Sequence, residues 1–153
     1  MRKLFLLLPL LIVTACTQFG LYSETIKGFD NNRWEKNDTK SFSFQINEDV
    51  KKANVLILFS HVYEPGYDKV PVEVTFKKEG GNEETFMTDL LLKDEQGENL
   101  TSCMGDVCDL EQVVKENFNL EKGNYTVTLT NKVGLLPYLP NVVALGISVE
   151  TAE

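Results

Sequence analysis

The chain is short of several things at once: one histidine and three cysteines in 153 residues, 15 lysines and arginines against 23 aspartates and glutamates, and a single long apolar run. Each shortage removes a class of function. With His61 as the only imidazole, and no serine set in a nucleophile-elbow motif, there is little to activate a hydroxyl or thiol for attack. His61 stands at the end of an apolar stretch and reads as a strand-end or core histidine, so the chain is expected not to be an enzyme. A structural zinc ion asks for four Cys or His ligands, which Cys103, Cys108 and a distant His61 do not supply. Nucleic acids draw their affinity from Lys and Arg neutralising phosphates, and an acidic chain gains nothing there, so no nucleic-acid partner is expected. Gly80-Gly81 has neither the lysine nor the following helix of a phosphate loop. Asp94, Glu95, Glu98, Asp106, Asp109 and Glu111 offer oxygens that suit calcium, but their spacing is not that of an EF-hand loop. A solvated acidic face is the simpler reading, and neither metal nor cofactor is expected.

What is present begins at the N-terminus. Met1-Arg2-Lys3 precedes an almost uninterrupted apolar run from Leu4 to Val13, and Thr14-Ala15-Cys16 follows, the charged, apolar, small-residue order of a secretory signal. About ten apolar residues are too few for a spanning helix, which needs about twenty. Val13-Thr14-Ala15-Cys16 resembles the lipobox of bacterial lipoproteins, which makes residues 1–15 a signal peptide and Cys16 the lipidation site. Two or three acyl chains, of palmitate type, make a lasting anchor at ~0.8 kcal/mol per methylene. Loss of Arg2 and Lys3 with the signal takes the charge from −8 to −10 over the remaining 138 residues. Anionic headgroups would repel such a chain, so the lipid bilayer is engaged through acylated Cys16 alone. Cys103 and Cys108 sit five residues apart in a chain bound for an oxidising compartment, where thiols tend to pair. A disulfide is the favoured reading, and two separate buried thiols the alternative.

Residues 16–37 are polar and glycine-punctuated and read as lipidated cysteine and tether, with room for one short edge strand; residues 38–153 read as a single domain. Phe42, Phe44 and Ile46 alternate with Ser41, Ser43 and Gln45, a period of two that marks a half-buried strand. Asn54 to Val62 holds a continuous apolar stretch that suits a strand buried on both faces, or a core helix. Val70 to Lys77 alternates again, with Pro71 placed near its start, and Glu79 to Asn82 turns into a returning partner from Glu84 to Leu92. Asp109 with Gln112 three residues on, and Leu110, Val113, Val114 and Phe118 at helical spacing, predict one short helix. Tyr125, Val127 and Leu129 form another strand, and Val142 to Val149 the last. The sum is a mainly β protein, an antiparallel β-sandwich or jelly-roll-like domain with one short helix.

Loops on a rigid sheet scaffold often carry binding, and Val62 to Tyr67 is the favoured recognition loop, with Tyr63 and Tyr67 as its contact residues. Trp34, Tyr63, Tyr67 and Tyr138 could also form a stacking platform for carbohydrate, although Trp34 fits a core position better.

Three stretches together resemble the gliding motility lipoprotein GldH family of Bacteroidetes: the lipobox with its tether, Trp34-Glu35-Lys36-Asn37-Asp38 leading into Phe42 and Phe44, and Gly123-Asn124-Tyr125 running on to the stretch from Leu139 to Ile147. The hairpin from Val70 to Leu92 and the cysteine pair match no motif of that family. The resemblance implies a non-enzymatic outer-membrane lipoprotein facing the periplasm, with protein partners in the gliding and secretion machinery. A ligand-binding envelope lipoprotein, for carbohydrate or calcium, is the alternative. Thr17 is not the aspartate of inner-membrane retention, and no lysine-acid run of a surface-export signal follows Cys16.

Overall fold

The computed structural model describes residues 20–152, so Thr17, the signal peptide expected over residues 1–15 and the lipidation expected at Cys16 lie outside the described residues. Eleven strands follow one another among the described residues: β1 (Gly20–Lys27), β2 (Trp34–Glu35), β3 (Thr39–Ile46), β4 (Val50–Val62), β5 (Lys69–Lys78), β6 (Glu83–Leu91), β7 (Ser102–Met104), β8 (Val107–Leu120), β9 (Gly123–Asn131), β10 (Tyr138–Leu139) and β11 (Val142–Thr151). Residues 20–37, read as tether with an edge strand, supply β1, a single 3-10 turn (Asp30–Asn32) and β2. All ladders are antiparallel, in the orders β1-β11-β4-β8-β7 and β3-β9-β5-β6, with β10 and β2 as a separate ribbon.

The alternating segments behave as elementary strand geometry requires, since successive side chains point to opposite faces. Phe42, Phe44 and Ile46 of β3, Val70, Val72, Val74 and Phe76 of β5, and Tyr125, Val127 and Leu129 of β9 face inward, while Ser43, Gln45, Glu73, Thr75, Thr126 and Thr128 between them face out. Opposite them lie Val55, Ile57 and Phe59 of β4 and Val142, Leu145, Ile147 and Val149 of β11, so the two sheets share one core. Pro71 stands one residue before the β5–β9 ladder begins at Val72, where its missing N–H breaks no bond to β9. β1 closes the other edge against Gly146, where a Cβ would come within 2.4 Å of the Glu24 carbonyl oxygen. Only glycine lets the two backbones approach so closely.

The helix expected from Asp109 to Phe118 is not there: those residues belong to β8, paired along β4. The reason lies in Gln112. The period-two set is Cys108, Leu110, Gln112, Val114, Phe118 and Leu120, and a glutamine in its middle hides the alternation, while Val113, which completes the helical spacing, faces solvent. Gln112 turns inward because its amide works as a strand partner. Its Oε1 accepts from Leu91 N at 2.9 Å and its Nε2 donates to Asp89 O at 3.0 Å, across to the edge of the other sheet. Capping propensity of about 1 kcal/mol cannot compete with a full ladder to β4.

Among the described residues the wholly buried polar side chain is that of Asn131, 0 % exposed at the end of β9. Its Nδ2 donates to Trp34 O at 2.7 Å and Glu35 O at 3.2 Å, and its Oδ1 accepts from Val133 N at 2.9 Å. That amide fixes β2, and with it the fully buried Trp34.

The strands give the molecule two unlike ends. Gly20, Glu150 and Asn54 meet at one, together with the β3–β4, β5–β6 and β8–β9 turns. Val62, Val107, Lys69, Leu91 and Asn131 mark the other, where the longer loops gather.

Asn131→Ala is expected to lower unfolding free energy by about 2–4 kcal/mol, because two carbonyls and one N–H lose their partner inside the protein. Denaturant unfolding followed by Trp34 fluorescence measures it, and an unchanged midpoint would contradict the role assigned to the amide.

Candidate functional site

A cleft of about 450 Å³ opens at the end opposite Gly20, between the loop that follows β4 and the long connection from β6 to β7. The first wall turns sharply at Glu64 and Gly66, both at positive φ (53° and 88°). It is pinned from three sides: Tyr63 N donates to Asp106 O at 2.9 Å, Asn141 Nδ2 to Pro65 O at 3.0 Å, and Tyr67 Oη to Pro140 O at 2.9 Å. The second wall hangs from the first, since Leu92 N donates to Asp68 O at 2.9 Å and Lys93 Nζ lies 2.7 Å from the Asp68 carboxylate. Asp94 shapes its tip, its Oδ1 accepting from Gln96 N at 2.9 Å and Glu98 N at 2.8 Å.

His61 and the Cys103–Cys108 pair lie beneath, His61 being paired with Cys108 across the β4–β8 ladder. A disulfide joins the two cysteines, with their Cα atoms 3.9 Å apart, and so ties the three-residue edge strand β7 to β8. His61 is only 3 % exposed; its Nδ1 is 2.8 Å from Val62 O, and its Nε2 has no hydrogen-bond partner among the described residues.

The two tyrosines chosen from the sequence both line this cleft but do different things there. Tyr67 is a prop. Burial pushes its phenol well above the ordinary tyrosine range, and its hydroxyl is spent on Pro140. Tyr63, half exposed, is the one offered to solvent. Lys93 is held protonated more firmly than an ordinary lysine, chiefly by its hydrogen bond to Asp68.

The aromatic platform suggested by Trp34, Tyr63, Tyr67 and Tyr138 does not assemble. Trp34 is fully buried, and Tyr138 is covered by the Arg33 guanidinium 4.3 Å from its ring centre. The acidic residues do not converge either: among the described residues no three His, Cys, Asp or Glu side chains are placed to hold a metal ion. Sequence reasoning missed the exposed apolar residues at this end, Leu100, Met104, Leu135 and Leu136. Met104, at the end of β7 beside Gly105, and Leu135-Leu136, between Gly134 and Pro137, are apolar residues whose local sequence does not tell which way they face.

Compared with known proteins, residues 21–149 match a family described as GldH lipoprotein. Similar solved structures include a protein from Sulfurospirillum deleyianum, 12% identical with a TM-score of 0.41 over 82% of this chain and 96% of that one. Another is TmCBM61 in complex with β-1,4-galactotriose, 13% identical with a TM-score of 0.35 over 89% of this chain and 88% of that one. No curated protein matches.

The native protein, denatured without reductant, should show no reactive thiol at Cys103 or Cys108. Reduction should lower stability by about 2 kcal/mol, the loop-closure value for so short a loop. Thiol titration and denaturant melts with and without dithiothreitol measure both, and two freely reactive thiols would contradict the pairing.

Proposed function

Because this chain belongs to the GldH lipoprotein family, we propose that it is a non-enzymatic component of a cell-envelope machine, serving gliding motility and the secretion linked to it, and held by acylated Cys16 to the outer membrane with its body in the periplasm. The match across residues 21–149 carries the reading. The lipobox before Cys16, Thr17 in place of an aspartate, and the lack of a lysine-acid run after the cysteine support the membrane and the side.

The two unlike ends add a direction. Cys16 stands four residues before Gly20, and at ~3.3–3.6 Å per residue that stretch reaches at most about 14 Å. The Gly20 end is therefore the one kept against the lipid. β4 crosses the domain in 13 residues. At ~3.3 Å each they carry the opposite end about 40 Å further out. A surface at that distance suits protein partners. No helix among the described residues is long and apolar enough to cross a membrane.

Metabolic labelling with an alkyne-bearing palmitate analogue should mark the protein, and Cys16→Ser should abolish the label and shift the protein from the membrane to the soluble fraction. Deleting the gene should abolish surface spreading and alter the composition of envelope complexes. Labelled protein with unchanged spreading and secretion would retain the anchor and sink the machine role.

A further inference from the structure

The cleft opposite Gly20 combines three features that point to one kind of occupant. The first is a proton acceptor without a donor. Val62 O can only accept, so in the neutral imidazole Nδ1 carries the proton toward it, and Nε2 is left as a bare lone pair on a buried ring lining the cleft. A buried polar atom of this kind is costly unless something meets it. The second is charge. Two carboxylates, Glu64 and Asp68, line the cleft against one ammonium, Lys93, and Lys93 is committed to Asp68. The tip of the second wall adds Asp94, Glu95 and Glu98, so an anion entering here would meet repulsion. The third is apolar surface at the same end: Tyr63, Leu100 and Met104, all exposed.

We propose that this cleft is a docking pocket for a basic side chain, arginine better than lysine, carried on an apolar segment of a partner protein. A guanidinium donates from several N–H groups in a plane. It can pair with the Glu64 carboxylate, stack on the Tyr63 ring and, once the side chains covering the buried Nε2 part, donate to His61, three contacts that match its chemistry. A lysine ammonium meets the charge but stacks and forks less well. At about 450 Å³ the cleft falls within the size range of ligand sites and exceeds a lone side chain, so the flanking residues of the partner also enter and cover Leu100 and Met104. The partner-binding role rests on the accessory-lipoprotein reading; the pocket chemistry does not.

The test uses the full mature lipoprotein in nanodiscs of neutral lipid and the acetylated pentapeptides Leu-Thr-X-Thr-Leu, with X arginine, lysine, norleucine or glutamate, followed by fluorescence anisotropy. The arginine peptide should bind several-fold tighter than the lysine peptide and at least tenfold tighter than the norleucine and glutamate ones. Glu64→Gln and Tyr63→Ala should each weaken it at least fivefold, and Glu64→Gln alone should flatten its salt dependence, while Lys51→Gln at the Gly20 end should leave it unchanged. Both altered side chains at the cleft are surface groups, so thermal melting should show the fold intact; His61→Phe, which could disturb the core, is a supporting variant only. Equal binding of arginine and norleucine peptides, insensitivity to Glu64→Gln, or absence of binding up to millimolar peptide would overturn the proposal. So would a dimer of this chain that Tyr63→Ala disperses and no peptide displaces. Cys16→Ser protein should bind the peptides as well as the acylated form. Wild-type protein that carries no acyl chain yet binds the peptides would count against the anchor alone, and acylated protein that binds none of them against the pocket alone.

Discussion

One buried amide, that of Asn131, decides the shape of the working end. An asparagine deprived of water must find partners, and Asn131 finds them in the backbone of Trp34, Glu35 and Val133, three groups that belong to no sheet ladder of β9. Because the amide reaches across to β2, the short β2–β10 ribbon is held over the end of the core with Trp34 beneath it. Lys36 N then donates to Pro137 O at 2.9 Å, and Lys36 Nζ to Gly134 O, so the loop with Leu135 and Leu136 is lashed to the same ribbon. The β10–β11 turn that follows supplies Pro140 and Asn141, which brace Tyr67 and Pro65. The cleft thus inherits its position from a polar group inside the core, several contacts away.

A second amide deals with a different constraint, the open sheet edge. β8 has a strand partner on its outer side only at Val107–Asp109, through β7, and β6 ends the other sheet on the same flank. Unpaired edge groups invite association with other chains. Gln112 satisfies Leu91 N and Asp89 O, and Lys115 binds Glu84, so side chains of β8 stitch the two edges together without closing a barrel. Where β8 runs on toward the cleft, the Cys103–Cys108 disulfide takes over and keeps the short β7 in place.

Most of the strands were legible because runs of their inward positions are apolar: Phe42, Phe44 and Ile46, or Tyr125, Val127 and Leu129, leave no competing period. β8 was not, since Gln112 serves a tertiary hydrogen bond that no local pattern announces. β1 was only half legible. Its face is mostly exposed, and what seats it is the absence of a side chain at Gly146, more than a hundred residues further on. At the site, Tyr63 and Tyr67 could be chosen by loop chemistry, but their division into contact and prop depends on Pro140, which approaches only in the fold. The exposed leucines and Met104 stayed hidden because an apolar residue in a turn looks the same in sequence whether it folds under or faces out.

The pairing of β1 with β11 also sets an order of events. Glu24 lies beside Ile147, so β1 has no ladder partner until the last strand exists. Contacts so far apart in sequence form late, after the loop between them has been ordered. A chain delivered across a membrane N-terminus first would hold residues 20–27 without a ladder partner throughout its passage, until the final strand arrives to complete the sheet.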